Sequence, residues 1–170
     1  MDVIKFRLGE NHPDYANSLN NLAQLYCSQG KYEKAEPLSI QALELRKSIL
    51  GENHPSYATS LNNLALLYDS QGKYEQAEPL FIQALELRKS ILGENHPDYA
   101  TSLNNLAQLY CSQGKYEQAE PLFIQAKELY KSILGENHPS YATSLNNLAL
   151  LYDSQGKYEK AEPLSIQALE

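Results

Sequence analysis

Histidine and cysteine are the residue types in this chain that could hold a metal or attack a substrate. His12, His54, His96 and His138 recur at a fixed interval, each directly before a proline. None has a second ligand at metal-binding spacing, so each reads as the cap of a helix start. Cys27, followed by Ser28, and its counterpart Cys111 are the nucleophile candidates. The same place in the other copies holds Asp69 and Asp153, and no histidine lies nearby on the same helix to activate a thiol. A phosphate loop, an HExxH pair and a glycine-rich dinucleotide fingerprint are all missing. What remains is the chemistry of recognition. Paired carboxamides recur at Asn20–Asn21, Asn62–Asn63, Asn104–Asn105 and Asn146–Asn147, and a carboxamide both donates and accepts, so it can bracket a peptide unit.

These groups are carried by a repeating phrase, GENHP, which begins at Gly9, Gly51, Gly93 and Gly135. It divides residues 1–170 into one array of repeats at 9–50, 51–92, 93–134 and a truncated 135–170, with 1–8 reading as the remnant of a preceding helix. The 8 Gly, 8 Pro and 4 His divide evenly among the copies, and the 13 Tyr are three per repeat plus Tyr130. Unusual residue counts therefore come from duplication. A catalytic site needs unlike groups converging once, whereas stacked copies of one unit present the same side chains along an extended surface, so the expectation is a binding protein and not an enzyme. Positions 9–50 match 93–134 at 37 of 42 residues, and 51–86 match 135–170 at 34 of 36. The underlying unit is thus a pair of repeats.

Within 51–92, Tyr57, Leu61, Leu64, Ala65 and Tyr68 fall at i, i+3, i+4 and i+7 spacing and give a first helix, A, one apolar stripe. Asn53 or His54 can cap it, Pro55 suits its first position, and Gly72 can supply its left-handed ending. A second helix, B, runs from about Tyr74 to Leu92 with Ala77, Leu80, Phe81, Ala84, Leu85 and Leu92 on its apolar side. Gly93 ends it, and Glu94 to His96 link it to the next copy, so successive helices must pack antiparallel. Pro79 removes an amide donor near the second turn of B, which calls for a later helix start or a bend. Burial is worth about 1.5 to 3 kcal/mol per large apolar side chain, against roughly 1.5 kcal/mol of conformational entropy per residue. One repeat is not expected to fold alone.

The string LNNLALLYDSQGKYEQAEPLFIQAL, Leu61 to Leu85, resembles a tetratricopeptide repeat: Gly72, Tyr74, Ala77, Phe81 and Ala84 match its signature, Ala65 its small position and Tyr68 its helix A tyrosine. Leu61 stands where that family often has Trp. The 42-residue period, with the HP, NNLA and AEPL elements, is similar to the kinesin light chain branch and related bacterial arrays. The resemblance covers residues 9–170. Two departures are the missing proline near the end of helix B and the missing capping helix after Glu170.

The resemblance implies an all-α, right-handed superhelical solenoid of helix-turn-helix repeats, with A helices lining a concave groove that holds a partner-protein segment. A polar stripe lies beside the apolar one. It reads Asn17, Asn20, Asn21, Gln24 and Cys27; then Thr59, Asn62, Asn63, Leu66 and Asp69; then Thr101, Asn104, Asn105, Gln108 and Cys111; then Thr143, Asn146, Asn147, Leu150 and Asp153. In peptide-bound family members the second Asn of the pair bonds the peptide main chain; here that is Asn21, Asn63, Asn105 and Asn147. The same carboxamides could instead brace neighbouring helices. Groups that clamp an acidic C-terminus in chaperone-binding relatives are Lys and Arg, and the matching positions here are Thr, Asn, Gln and Leu. The expected ligand is therefore a neutral to basic protein or peptide, and the alternation of Gln/Cys with Leu/Asp rungs favours a repetitive one.

A net charge of -7 without any Lys/Arg cluster argues against nucleic acid and against an anionic membrane surface. No apolar run approaches the roughly 20 residues that span a bilayer, and the opening MDVIKFRL is too short and too charged for a secretory signal. In a stacked array a whole repeat separates Cys27 from Cys111, far beyond the roughly 7 Å between Cα atoms that a disulfide permits. Unpaired thiols point to a reducing compartment, the cytoplasm. No metal or cofactor is expected. Uncovered stacking surfaces at both ends suggest a second reading, a structural module that assembles head to tail, with Ser39 and Ser165 in place of Phe81 and Phe123 softening the terminal surfaces.

Overall fold

The computed structural model describes residues 12–169. Gly9, the 1–8 remnant and Glu170 lie outside the described residues. The described residues form eight α-helices and no strand: α1 (Pro13–Ser28), α2 (Tyr32–Leu50), α3 (Pro55–Ser70), α4 (Tyr74–Leu92), α5 (Pro97–Ser112), α6 (Tyr116–Leu134), α7 (Pro139–Ser154) and α8 (Tyr158–Gln167). The odd-numbered helices are the expected A helices and the even-numbered ones the B helices.

Both ends of each A helix are set by the sequence phrase that repeats. The histidine is the N-cap: Nδ1 of His12, His54, His96 and His138 accepts from the backbone N–H of Asp14, Ser56, Asp98 and Ser140, at 3.1 to 3.2 Å. The proline that follows occupies the first turn, where its missing N–H removes nothing from the helix. At the other end Gly72 takes φ of 71°, its N–H bonds the Asp69 carbonyl, and the Lys73 N–H reaches back to the Tyr68 carbonyl. This paired closure satisfies carbonyls the helix would otherwise strand, and it needs the left-handed backbone that glycine adopts freely. Gly93 closes α4 with φ of 83°. The B helices start at the tyrosine and continue through Pro37, Pro79 and Pro121, so the missing amide does not delay the helix.

The chain divides into two compact units, one up to Leu87 and one from Arg88. In the first, α1 packs on α2, α2 on α3, and α1 also touches α3. Tyr15, Leu19 and Ala42 close the first hairpin. A larger cluster joins Ala23, Ala35 and Leu43 of repeat one to Tyr57, Leu61, Leu64 and Leu67 of repeat two. In the second unit α5 packs on α6, α6 on α7, and α7 on α8. There Ala107, Ala119 and Phe123 meet Leu148, Ala149, Leu151 and Tyr152. Ser39, expected to soften a terminal surface, is instead buried on α2. It occupies the position at which Phe123 of α6 packs on α7.

Candidate binding face

The A helices place the polar stripe, but a step of one residue turns a side chain by about 100° around a helix, and the two carboxamides of the pair separate accordingly in repeats one and two, whereas Asn104 is half-buried like its neighbour and Asn146 is exposed. Asn20 and Asn62 are buried, whereas Asn21 is exposed and Asn63, Asn105 and Asn147 are half-buried. Asn20 serves the interior. With its carboxamide oxygen turned to the Arg46 guanidinium, a group that only donates, it accepts from Nη1 at 3.0 Å and Nη2 at 3.3 Å. Arg46, buried in the last turns of α2, also donates from Nη1 to Ser60 Oγ at 2.8 Å and to the Ser56 carbonyl at 2.9 Å, and from Nη2 to Asn17 Oδ1 at 2.7 Å. One guanidinium therefore ties α1, α2 and α3 together. Burial pulls its pKa below the usual guanidinium value.

The second unit repeats this device and then changes it. Arg88 Nη1 donates to Ser102 Oγ at 2.8 Å and to the Asp98 carbonyl at 3.2 Å. In repeat three the position is Tyr130, whose hydroxyl lies 2.8 Å from Thr101 Oγ1. Ser144, the equivalent of Ser60 and Ser102, turns back to its own helix and donates to the Tyr141 carbonyl at 2.6 Å. Asn147 Nδ2 donates to Asn104 Oδ1 at 2.9 Å and links α7 to α5 directly.

The other stripe residues divide by what they already hold. The hydroxyls of Thr59, Thr101 and Thr143 donate to the carbonyls of Pro55, Pro97 and Pro139 in their own helices. Gln24 and Gln108 are exposed. Leu66 is 39% exposed and Leu150 62%, so apolar surface stands open beside the carboxamides. Asp69 is half-buried, and burial raises its pKa; Asp153 is exposed. Asn146, Leu150 and Asp153 of α7 share an open groove of about 600 Å³ with Tyr158 and Glu162 of α8. Cys27 and Cys111 are free thiols, and burial pushes Cys111 up to about 11, which keeps it protonated and poorly nucleophilic. Among the described residues no His, Cys, Asp and Glu side chains group as a metal site, and no helix is long and apolar enough to cross a membrane.

Sequence reasoning missed Arg46, Arg88 and the serines they hold. A signal was there: Arg46 follows buried Leu43 by three residues, and Ser60 sits beside Leu61 on the apolar stripe, so both fall in core register.

A second contact recurs between repeats. Tyr68 donates to Glu36 Oε1 at 3.2 Å, Lys73 Nζ reaches Glu36 Oε2 at 3.2 Å, and that ammonium lies 5.5 Å from the Tyr68 ring centre. Tyr152 donates to Glu120 Oε1 at 2.8 Å, with Lys157 and Lys160 near its ring. Burial first, and then the Glu120 carboxylate, raises the Tyr152 phenol to about 12.

Helical hairpins of one sequence, capped alike and joined by recurring side-chain ties, define a helical-repeat protein whose face offers recognition groups. The tetratricopeptide repeat profile matches residues 1–38, 14–90, 70–131 and 99–170, and the chain belongs to that family. Among solved structures it is similar to BtubC (BKLC) from P. vanneervenii, at 29% identity and a TM-score of 0.80 over 92% of this chain and 63% of that one. It is equally similar to the nearly identical TPR-like repeats of a Podosopora anserina protein assigned as a kinesin light chain, at 29% identity and a TM-score of 0.81 over 92% of this chain and 74% of that one. A Rap protein complexed with Competence and Sporulation Factor shares the fold at 20% identity, with a TM-score of 0.80 over 92% of this chain and 42% of that one. The chain thus spans less than two thirds of the BtubC chain. None of the curated proteins matches it.

Proposed function

We propose that this chain is a protein-interaction scaffold that holds a segment of a partner protein against the exposed faces of its A helices, without catalysis or cofactor. The observation that carries this reading is the division of labour within the Asn pairs of repeats one and two: Asn20 and Asn62 are buried, while Asn21 is exposed and Asn63 half-buried. Beside them Leu66 offers apolar contact and Asp69 a carboxylate that a cation would relieve of its desolvation. A neutral to basic segment fits this set, and the alternation of Leu/Asp with Gln/Cys rungs suits a repetitive one. Family membership supports protein binding in general, and a partner-bound Rap structure has the same fold. Free thiols suit a cytoplasmic setting.

The test is capture of partners by wild type and by Asn21→Ala plus Asn63→Ala, followed by a peptide array on both. The double variant should keep its helical circular dichroism and lose most captured protein, and bound peptides should be neutral or basic. Undiminished capture by the variant, or an array that returns acidic peptides alone, would overturn the proposal.

A further inference from the structure

The two units contain junctions of nearly the same residues, yet their carboxamides behave differently. α3 and α7 have one sequence, and α1 differs from α5 only in having Asn17 where Thr101 stands. Asn147 of α7 donates to Asn104 at 2.9 Å, whereas the side chain of Asn63, its counterpart on α3, makes no hydrogen bond among the described residues. Both are half-buried, so exposure does not separate them. The difference traces to the B helix between, where α2 and α6 exchange Lys34 for Gln118, Ser39 for Phe123, Leu43 for Lys127 and Arg46 for Tyr130. Lys34 lies 5.9 Å from the Tyr26 ring centre, Ser39, Phe123 and Leu43 are core residues, and Lys127 pairs with Glu128 of its own helix. Arg46 is the one of these that reaches a carboxamide of the Asn pairs. A guanidinium only donates, so it holds the Asn20 oxygen toward itself, and Asn20 is 4% exposed. In the second unit the Tyr130 hydroxyl is taken by Thr101, and Asn104 gives its oxygen to Asn147. The serines follow suit: Ser60 receives Arg46, while Ser144 bonds back to the Tyr141 carbonyl.

We infer that Arg46 is a positioning residue of the binding face: it holds Asn20 inward and so leaves the Asn63 carboxamide unbonded for a partner's main chain, while Tyr130 releases Asn104 to occupy Asn147. The inference rests on the proposed role of the Asn pairs. A carboxamide brackets a peptide unit by donating and accepting together. Asn63 has both functions uncommitted, whereas Asn147 must give up or share its bond to Asn104, which weakens binding by a factor of roughly 3 to 10. The main chain of a neutral to basic segment is therefore held more tightly by α1 and α3 than by α5 and α7. A buried residue of the B helix thus grades rungs whose A helices carry the same carboxamides.

The test compares wild type with Arg46→Tyr plus Asn17→Thr, with the reciprocal Tyr130→Arg plus Thr101→Asn, and with Asn21→Ala plus Asn63→Ala. One readout needs no ligand. Side-chain amide proton exchange, followed by NMR, should be faster at Asn63 than at Asn147 in wild type. Arg46→Tyr plus Asn17→Thr should slow Asn63 by a factor of roughly 3 to 10, and the reciprocal variant should quicken Asn147 as much. General loosening of the fold cannot slow a proton. The second readout is one array of acetylated, amidated peptides. Arg46→Tyr plus Asn17→Thr should bind the wild-type set as weakly as the alanine variant does, and the reciprocal variant should bind it more tightly than wild type. Should the first variant lose its helical circular dichroism, the reciprocal one decides alone, through Asn147 exchange and affinity. Unchanged exchange at the carboxamide addressed overturns this inference and leaves the binding face standing. So does full array binding by Arg46→Tyr plus Asn17→Thr beside loss in the alanine variant. Full binding by the alanine variant instead overturns the binding-face reading, and this inference with it.

Discussion

A single guanidinium decides more of this structure than its place near a helix end suggests. An arginine near the end of an amphipathic helix normally reads as part of a solvated face, and burying it is costly unless each donor finds an acceptor. The Nη1 and Nη2 groups of Arg46 find theirs in Asn17, Asn20, Ser56 and Ser60. Repeat three solves the same position differently, with Tyr130 bonded to Thr101. Arg46 donates to Asn17 and Tyr130 bonds Thr101, while Arg88, with Thr59 in the place of Asn17, shows that the arginine does not require the asparagine. Arg46→Tyr alone should lower unfolding free energy by about 1 to 3 kcal/mol, the cost of leaving a buried polar partner unsatisfied. Adding Asn17→Thr should recover a measurable part of that loss, because it recreates the repeat-three pair. Urea unfolding of the single and double variants checks this, and a double variant less stable than Arg46→Tyr would refute the coupling.

Between elements, the Tyr–Glu contact joins the A helix of one repeat to the B helix of the one before. It needs a protonated phenol facing a carboxylate. Burial and Glu120 raise the Tyr152 phenol to about 12, above its ordinary 10.0. A folded-state pKa raised above the unfolded one gives stability that is complete below the unfolded value and is lost as pH rises through the folded one. Wild type should therefore lose thermal stability between about pH 10 and 12 more steeply than Tyr152→Phe, which lacks the titrating group. Parallel alkaline melting curves for the two proteins would count against this contact. Much of the element scale was legible in the sequence: His54, Pro55 and Gly72 announced where α3 starts and stops, and Tyr57, Leu61, Leu64 and Ala65 announced its buried side. Three things were not. Asn62 and Asn63 look alike as letters, yet about 100° of helix rotation sends one inward and leaves the other at the surface. Pro79 called for a later helix start or a bend, yet the helix begins at Tyr74 and runs through the proline, whose ring is exposed. Arg46 stood in core register, but what it holds was hidden because its acceptors sit on two other helices.

At the scale of the whole molecule, the larger apolar clusters are those that span a junction between repeats. The cluster internal to the first hairpin is small, Tyr15, Leu19 and Ala42 with Leu38 and Leu45 at its edge. The larger cluster exists only because α3 brings Tyr57, Leu61, Leu64 and Leu67 against Ala23, Ala35 and Leu43. Arg46 and the Tyr68–Glu36 contact likewise span successive repeats. Removing α3 would thus expose Leu43 and strip the Arg46 guanidinium of Ser56 and Ser60 at once, while the entropy cost of ordering α1 and α2 stays the same. A peptide of residues 12–50 should show little helix by far-UV circular dichroism under conditions in which the whole chain is fully helical. Adding residues 51–87 should raise helicity across both repeats together and not in the added one alone. A 12–50 peptide as helical per residue as the intact chain would mean that each hairpin is self-sufficient, and the nearest-neighbour account of this array would be wrong.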